Sequence, residues 1–238
     1  MRAYLIPIVC LSLLGTAANA TTYYGEDDGA GAGDARPNSA AAQASFLANA
    51  GAVGPVIDFE AVSLGYATPL DLGSGVTASF SGANPTFSGV TDEDTTNFGY
   101  NTTAGGSRFL RFTSEFGSSA TLTFSFDQAV RSFGAYFTGV ETNFGSISVT
   151  SSDGSVTDFG LPGSVSGGGV LFFGLTDVLI TSITITNVAN PSGGRDLIGL
   201  DDIYVGAAVP EPTTWALLIL GFGGAGAMLR ARRRTALA

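Results

Sequence analysis

From Val56 onward, apolar side chains recur at every second position in a series of short runs. Leu122, Phe124 and Phe126 alternate with Thr121, Thr123 and Ser125, and Phe133, Ala135 and Phe137 alternate with Ser132, Gly134 and Tyr136. Ile147 and Val149 alternate with Ser146 and Ser148, and Ile183 and Ile185 with Ser182 and Thr184. A period of two sends successive side chains to opposite faces of an extended chain, so each run has one buried and one wet face. That is the signature of antiparallel sheet. Clusters of Gly, Asn, Asp and Ser punctuate the runs, among them Asp153-Gly154, a hairpin turn signal. Further strands are predicted at 56–60, 76–80, 108–112, 170–173 and 197–205. About ten short strands predict an all-β fold, an antiparallel β-sandwich of jelly-roll type over residues 55–206.

Such a sandwich has to stand without crosslinks. The single cysteine, Cys10, lies in the first twenty residues, and the 17 phenylalanines, most of them at inward positions, supply one core. Histidine is absent. This closes the Ser-His-Asp and Cys-His nucleophilic arrangements and nearly every zinc or iron site, leaving oxygen-ligated hard cations open. Residues 21–208 hold 19 of the 20 acidic residues and 5 of the 10 basic ones, so this body carries a formal charge of −14. The chain has no lysine. Such a surface repels phosphate backbones, which excludes nucleic acid as a partner, and favours solubility and divalent cations.

Residues 21–54 read as a leader to the sandwich. Glu26, Asp27, Asp28 and the Gly-Ala alternation that follows predict a flexible arm over 21–36. One short helix should follow, capped by Asn38, carried by Ala40 to Ala44 with Phe46 and Leu47 as its apolar patch, and ended at Gly51 or at Gly54-Pro55.

Both ends carry addressing signals. Arg2, the apolar run Tyr4 to Leu14 and Ala18-Asn19-Ala20 form a signal peptide over 1–20, with the mature chain starting at Thr21. At the other end, over 207–238, Pro210-Glu211-Pro212 and Trp215-Ala216 lead into an apolar run to Leu229, followed by Arg230, Arg232, Arg233 and Arg234. The prolines fix φ and hold Glu211 in extended backbone. As a hydrophobic helix, Trp215 to Leu229 would reach ~22 Å, short of a ~30 Å hydrocarbon core. It is a marginal membrane stop, with the arginines on the cytoplasmic side and the body outside. A permanent single-pass anchor is the other reading.

This tail resembles the PEP-CTERM sorting signal in its PEPxxWA variant. The resemblance implies that an exosortase reads Pro210, Glu211, Pro212, Trp215 and Ala216 as substrate residues, in a Gram-negative bacterium that makes extracellular polysaccharide. Phe133-Gly134-Ala135-Tyr136-Phe137, Phe172-Phe173-Gly174 and Gly199-Leu200-Asp201-Asp202-Ile203, with the helix leading to Asp58-Phe59-Glu60, also resemble extracellular domains that precede such signals. Those domains are similar to carbohydrate-binding jelly rolls.

One cluster carries chemistry. Ile198 and Leu200 stand in one strand phase and Ile203 and Val205 in the other, so the strand is bulged at Asp201-Asp202 or turns a carboxylate inward. Pairing of the first and last strands would bring Asp58 or Glu60 near Asp201, which predicts a structural calcium site of Asp58, Glu60 and Asp201. An exposed strand end, or pairing with Arg195 or Arg131, is the alternative. Asp92-Glu93-Asp94 reads as a solvated loop, and Asn101-Thr102-Thr103 as a polar turn with a glycosylation-acceptor pattern. Tyr66, Tyr100, Tyr136 and Tyr204 are the residues that could line a sugar-binding groove, since the lone tryptophan, Trp215, lies in the tail. No carboxylate pair stands out as a glycosidase pair. The sequence therefore predicts an exported, non-catalytic surface or matrix protein, with a calcium-stabilised glycan-binding module as the alternative.

Overall fold

The computed structural model describes residues 20–141, 144–154, 156–159 (backbone alone), 168–190, 194–207, 219–226 and 230. Its elements are β1 Thr21–Asp28, α1 Pro37–Asn49, β2 Leu70–Asp71, β3 Val76–Ser81, β4 Gly89–Thr91, β5 Phe109–Phe112, β6 Ser119–Val130, β7 Phe133–Thr138, β8 Gly145–Ser151, β9 Val156–Phe159, β10 Gly169–Thr176, β11 Ile180–Ala189 and β12 Ile198–Val205. The strands form two six-stranded sheets, ordered β1-β10-β7-β12-β5-β4 and β2-β3-β6-β11-β8-β9. Neighbours within each are antiparallel. The fold is the jelly-roll-like β-sandwich that the alternation predicts.

The inward phase of each alternating run meets between the sheets. Leu122, Phe124 and Phe126 of β6, Phe133, Ala135 and Phe137 of β7, and Ile183 and Ile185 of β11 are buried in one cluster with Leu110, Phe112, Ile198, Leu200 and Ile203. Phe133 packs on Phe124 and Phe126 with ring centroids 5.9 and 6.3 Å apart. Removing these rings from water is the dominant stabilising term, at roughly 25 cal/mol per Å² of apolar surface.

A second, smaller cluster sits on the outer face of the first sheet. There α1 lays Phe46 against Phe172, Tyr136 and Tyr204, with Tyr23 of β1 at its edge. The helix starts at Pro37, and Arg36 at its N-cap offers no side-chain bond. Asp27 does so from β1: its carboxylate accepts the Asn38 and Ser39 amides at 3.0 and 2.9 Å and the Ser39 hydroxyl at 2.7 Å. Asn38, expected as the cap, is thus itself capped. The helix ends at Asn49, two residues before Gly51, whose φ of 72° no helix continues.

Two expectations are corrected here. Residues 21–28 are not a flexible arm but the edge strand β1, paired with β10 along its whole length. Composition pointed to the acids and glycines, whereas Thr21, Thr22, Tyr23 and Tyr24 are strand formers, and Tyr23 has the Phe46 ring to pack on. Residues 56–60 form no strand: only Ile57 bridges to Ile203, because Phe59 turns the backbone to a φ of 60°. Residues 219–226 are helical, with Ile219, Leu220 and Phe222 exposed. Among the described residues no helix is long and apolar enough to cross a membrane. Most of the expected signal peptide, the residues Pro210, Glu211, Pro212, Trp215 and Ala216, and the tip Arg232, Arg233 and Arg234 lie outside the described residues; Arg230 lies within them.

Candidate functional site: an aspartate bulge and an aromatic cleft

β12 is bulged at the aspartates. Its register with β7 shifts between Asp201 and Tyr204, and Asp202 takes a φ of 45°. The extra residue lets Leu200 and Ile203 both reach the core while Asp201 and Tyr204 share the outer face. Asp201 is fully buried beneath the turn at residues 101–103. Its Oδ2 accepts the Thr102 and Thr103 amides at 2.7 and 3.1 Å, while Asp202 accepts both threonine hydroxyls at 2.8 and 2.7 Å. Burial pushes the Asp201 carboxyl up to about 7, against the pull of the Thr102 amide and with a further push from Asp202. Among the described residues its Oδ1 has no hydrogen-bond partner.

The three residues expected to hold calcium are spent differently. Glu60 Oε1 accepts from the Ser107 and Arg108 amides, both at 2.7 Å, and from Asn101 Nδ2 at 3.1 Å. Asp58 closes its own turn on the Glu60 amide at 3.2 Å. Glu60 and Asp201 therefore grip the same 101–108 loop through amide donors, whose partial positive charge stands where a cation would. Among the described residues no group of three or more acidic, cysteine or histidine side chains is placed to hold a metal ion. Of the four tyrosines expected to line a groove, Tyr100, Tyr136 and Tyr204 are buried. Tyr136 donates to Gln43 Oε1 at 3.0 Å, and Gln43 Nε2 to the Tyr204 hydroxyl at 2.5 Å. Tyr66 remains partly exposed, tilted against Phe80 with centroids 5.3 Å apart. The tyrosine face is closed by α1 and the 101–103 turn.

An open surface lies elsewhere on the same sheet, around the β4–β5 edge. A cleft of about 680 Å³ is lined by Phe87, Phe98, Phe116, Arg111, Arg195 and Glu141, with Glu93, Asp94, Thr95 and Asn97 among its further walls. Phe87, Phe98 and Phe116 are 38, 46 and 64 % exposed. The Arg195 guanidinium stacks between two of them, 4.7 Å from the Phe87 centroid and 4.2 Å from that of Phe116. Arg111 donates to the Phe87 carbonyl at 3.0 Å and pairs with Glu93 at 3.3 Å. These contacts hold the cleft wall in shape.

Beneath this wall, Asp196 Oδ2 accepts the Glu141 amide at 2.9 Å. Burial drives the Asp196 carboxyl well above the usual carboxylate range and raises that of Glu141 as well.

The cleft was not anticipated. Its signal is nonetheless visible in retrospect: each of the three rings is a lone phenylalanine among turn formers, in Thr86-Phe87-Ser88, Asn97-Phe98-Gly99 and Glu115-Phe116-Gly117. None of them has an alternating strand to bury it. Glu93 and Asp94, expected as solvated loop, form part of the same wall.

Residues 208–234 match the PEP-CTERM protein-sorting motif. A PEP-CTERM motif marks a secreted protein that an exosortase processes at the cell surface. The matched span contains Pro210, Glu211, Pro212, Trp215, Ala216 and all four terminal arginines. A comparison with curated proteins finds none that matches.

Several solved structures similar to the body are carbohydrate-binding modules. One is TmCBM61 in complex with beta-1,4-galactotriose, at 12 % identity and a TM-score of 0.35 over 63 % of this chain and 93 % of that one. Another is a mutant of the family 29 carbohydrate-binding module CBM29-2, at 10 % identity and 0.37 over 65 % and 92 %. A third is the N-terminal tandem of two family 22 modules from Paenibacillus barcinonensis Xyn10C, at 14 % identity and 0.35 over 68 % and 49 %.

Proposed function

We propose that this is a non-catalytic surface or matrix protein, exported by its N-terminal leader and sorted through its PEP-CTERM tail. Its β-sandwich holds extracellular polysaccharide in the cleft at the β4–β5 edge. The observation that carries this reading is the cleft itself: three phenyl rings left 38 to 64 % exposed and gathered in one place. Exposed apolar rings gathered behind a polar rim are the kind of surface that takes a ligand. Sugar rings present flat C–H faces that lie on phenyl groups, and hydroxyls that suit Asn97, Thr95, Glu93 and Asp94 at the rim. A body carrying −14 favours neutral over acidic polysaccharide.

In the tail, the Pro-Glu-Pro and Trp-Ala elements follow the PEPxxWA pattern and are read by an exosortase. The apolar run holds the chain in the membrane until it is processed. Replacing Pro210, Glu211 and Pro212 with alanine in the producing cell tests the sorting half. The body should accumulate in the membrane fraction with its C-terminus at Ala238, and unchanged release with a shortened C-terminus would contradict the reading.

A further inference from the structure

Thr21 is the first residue of β1, and Ala18-Asn19-Ala20 stands directly before it. If residues 1–20 are removed, the chain end created is the first residue of an edge strand, with an α-amine that is protonated near neutral pH. The site waiting there is specific. Thr21 lies opposite Thr176, the last residue of β10, and Asp177 follows with a φ of 60°. Asp177 Oδ2 accepts the Thr21 hydroxyl at 3.3 Å and the Thr176 hydroxyl at 3.2 Å. The threonine hydroxyl and its own α-nitrogen are separated by only two carbons, so the carboxylate that accepts the hydroxyl lies within reach of the new amine.

Among the described residues no arginine forms an ion pair with Asp177, and the chain has no lysine. The Tyr23 hydroxyl faces Thr176 at 3.5 Å, and Arg131 reaches this corner through its carbonyl, which accepts the Val178 amide at 3.3 Å.

We propose that Asp177 is a receptor for the α-ammonium released at Thr21, so that leader removal itself completes the outer edge of the first sheet with an ion pair. The proposal rests on reading residues 1–20 as a removed leader. Before cleavage the Thr21 nitrogen is a neutral amide, and Asp177 has only hydroxyl donors. After cleavage the terminal residue of β1 is tied to the β10–β11 turn by opposite charges, the capture of a chain terminus by fixed polar groups.

The absence of lysine makes the test clean, because a protein beginning at Thr21 has one primary amine. Reductive methylation with ¹³C-formaldehyde then gives one resonance, whose titration is followed in the exported protein and in Asp177→Asn. Asparagine tolerates the same positive φ, so this change removes the charge and spares the turn. The proposal expects a midpoint about half a unit to one unit higher in the wild type than in Asp177→Asn, with the gap closing in 1 M salt. Equal midpoints in a protein whose intact mass begins at Thr21 overturn the proposal alone. A mass placing the first residue elsewhere overturns the leader reading, and the proposal with it.

Discussion

Gly174 on β10 and Gly134 on β7 lie directly opposite each other, and the Phe46 ring of α1 fills the space their absent side chains leave. A Cβ at Gly174 would stand 2.5 Å from Phe46 Cδ2, and one at Gly134 would stand 3.0 Å from Phe46 Cε1. Neither glycine is needed for its backbone angles. They are small so that a helix can dock on the outer face of a sheet that would otherwise be wet.

This gives a stability prediction. Gly174→Ala should cost about 1–3 kcal/mol by overpacking, and Phe46→Ala about 3–5 kcal/mol by emptying the site. The pair should be far from additive, since alanine at 174 partly fills the cavity left by the ring. Urea unfolding midpoints of the two single variants and the double variant measure this directly.

Asp27 ties β1 to α1, and its pH dependence has a defined sign. Burial works to raise its carboxyl, but the hydrogen bonds from Ser39 and Asn38 outweigh it and hold the group below its ordinary value. A lowered folded-state value contributes stability above the unfolded value, and that contribution is lost as pH falls through the folded one. Asp27→Ala should therefore cost about 0.5–2 kcal/mol near neutral pH, as a lost cap does, and progressively less at acid pH. Thermal unfolding of both proteins from pH 2 to pH 7 checks it.

Asp201 has the opposite sign. Its carboxyl is raised from 3.8 to about 7, so the folded state holds this proton more tightly than the unfolded chain does. The stabilisation is full below about pH 4, declines as pH rises, and is gone above about 7. Three units correspond to roughly 4 kcal/mol as an upper order of magnitude. Asp201→Asn keeps an acceptor for the Thr102 and Thr103 amides without the titration. Its denaturation midpoint should vary less between pH 4 and pH 8 than that of the wild type, and a parallel pair of curves would count against the assignment.

Calcium is expected to have no effect on melting. Glu60 Oε1 and Asp201 Oδ2 already accept three backbone amides at 2.7 Å, whose partial positive charges compete with a cation for the two carboxylates. Melting curves after chelation and after calcium addition should superimpose. A rise of several degrees with calcium would place an ion between these carboxylates and restore the site expected from the sequence.

Much of the sandwich was legible because alternation is a local signal. Phe124, Phe133 and Ile183 announce their strands without reference to any partner, and the phase conflict across Asp201-Asp202 announces a bulge. What the pattern could not give is outer-face burial. Tyr136, Tyr204 and Asp201 occupy wet-face positions in their own strands and are buried by α1 and the 101–103 turn, which arrive from elsewhere in the chain. For the same reason Thr21–Asp28 read as an arm: its acidic end looks solvated until Asp27 is seen as the cap of a helix eleven residues on. The cleft was illegible because its rings come from three separate loops. Only the folding of β4, β5 and the approach to β12 gathers them.

The account turns on whether those rings hold sugar. Affinity electrophoresis of the mature exported protein through gels containing the neutral fraction of the producing cell's own polysaccharide measures this directly, with Phe98→Ala and Phe116→Ala as variants. Both rings are largely exposed, so their removal should leave the melting temperature nearly unchanged. Loss of about 1–3 kcal/mol of stacking per ring predicts a fall in affinity of roughly five-fold to a hundred-fold for each variant, read as reduced retardation. Wild-type protein that migrates as it does in a sugar-free gel, or variants retarded as strongly as the wild type, would contradict the assignment of this cleft.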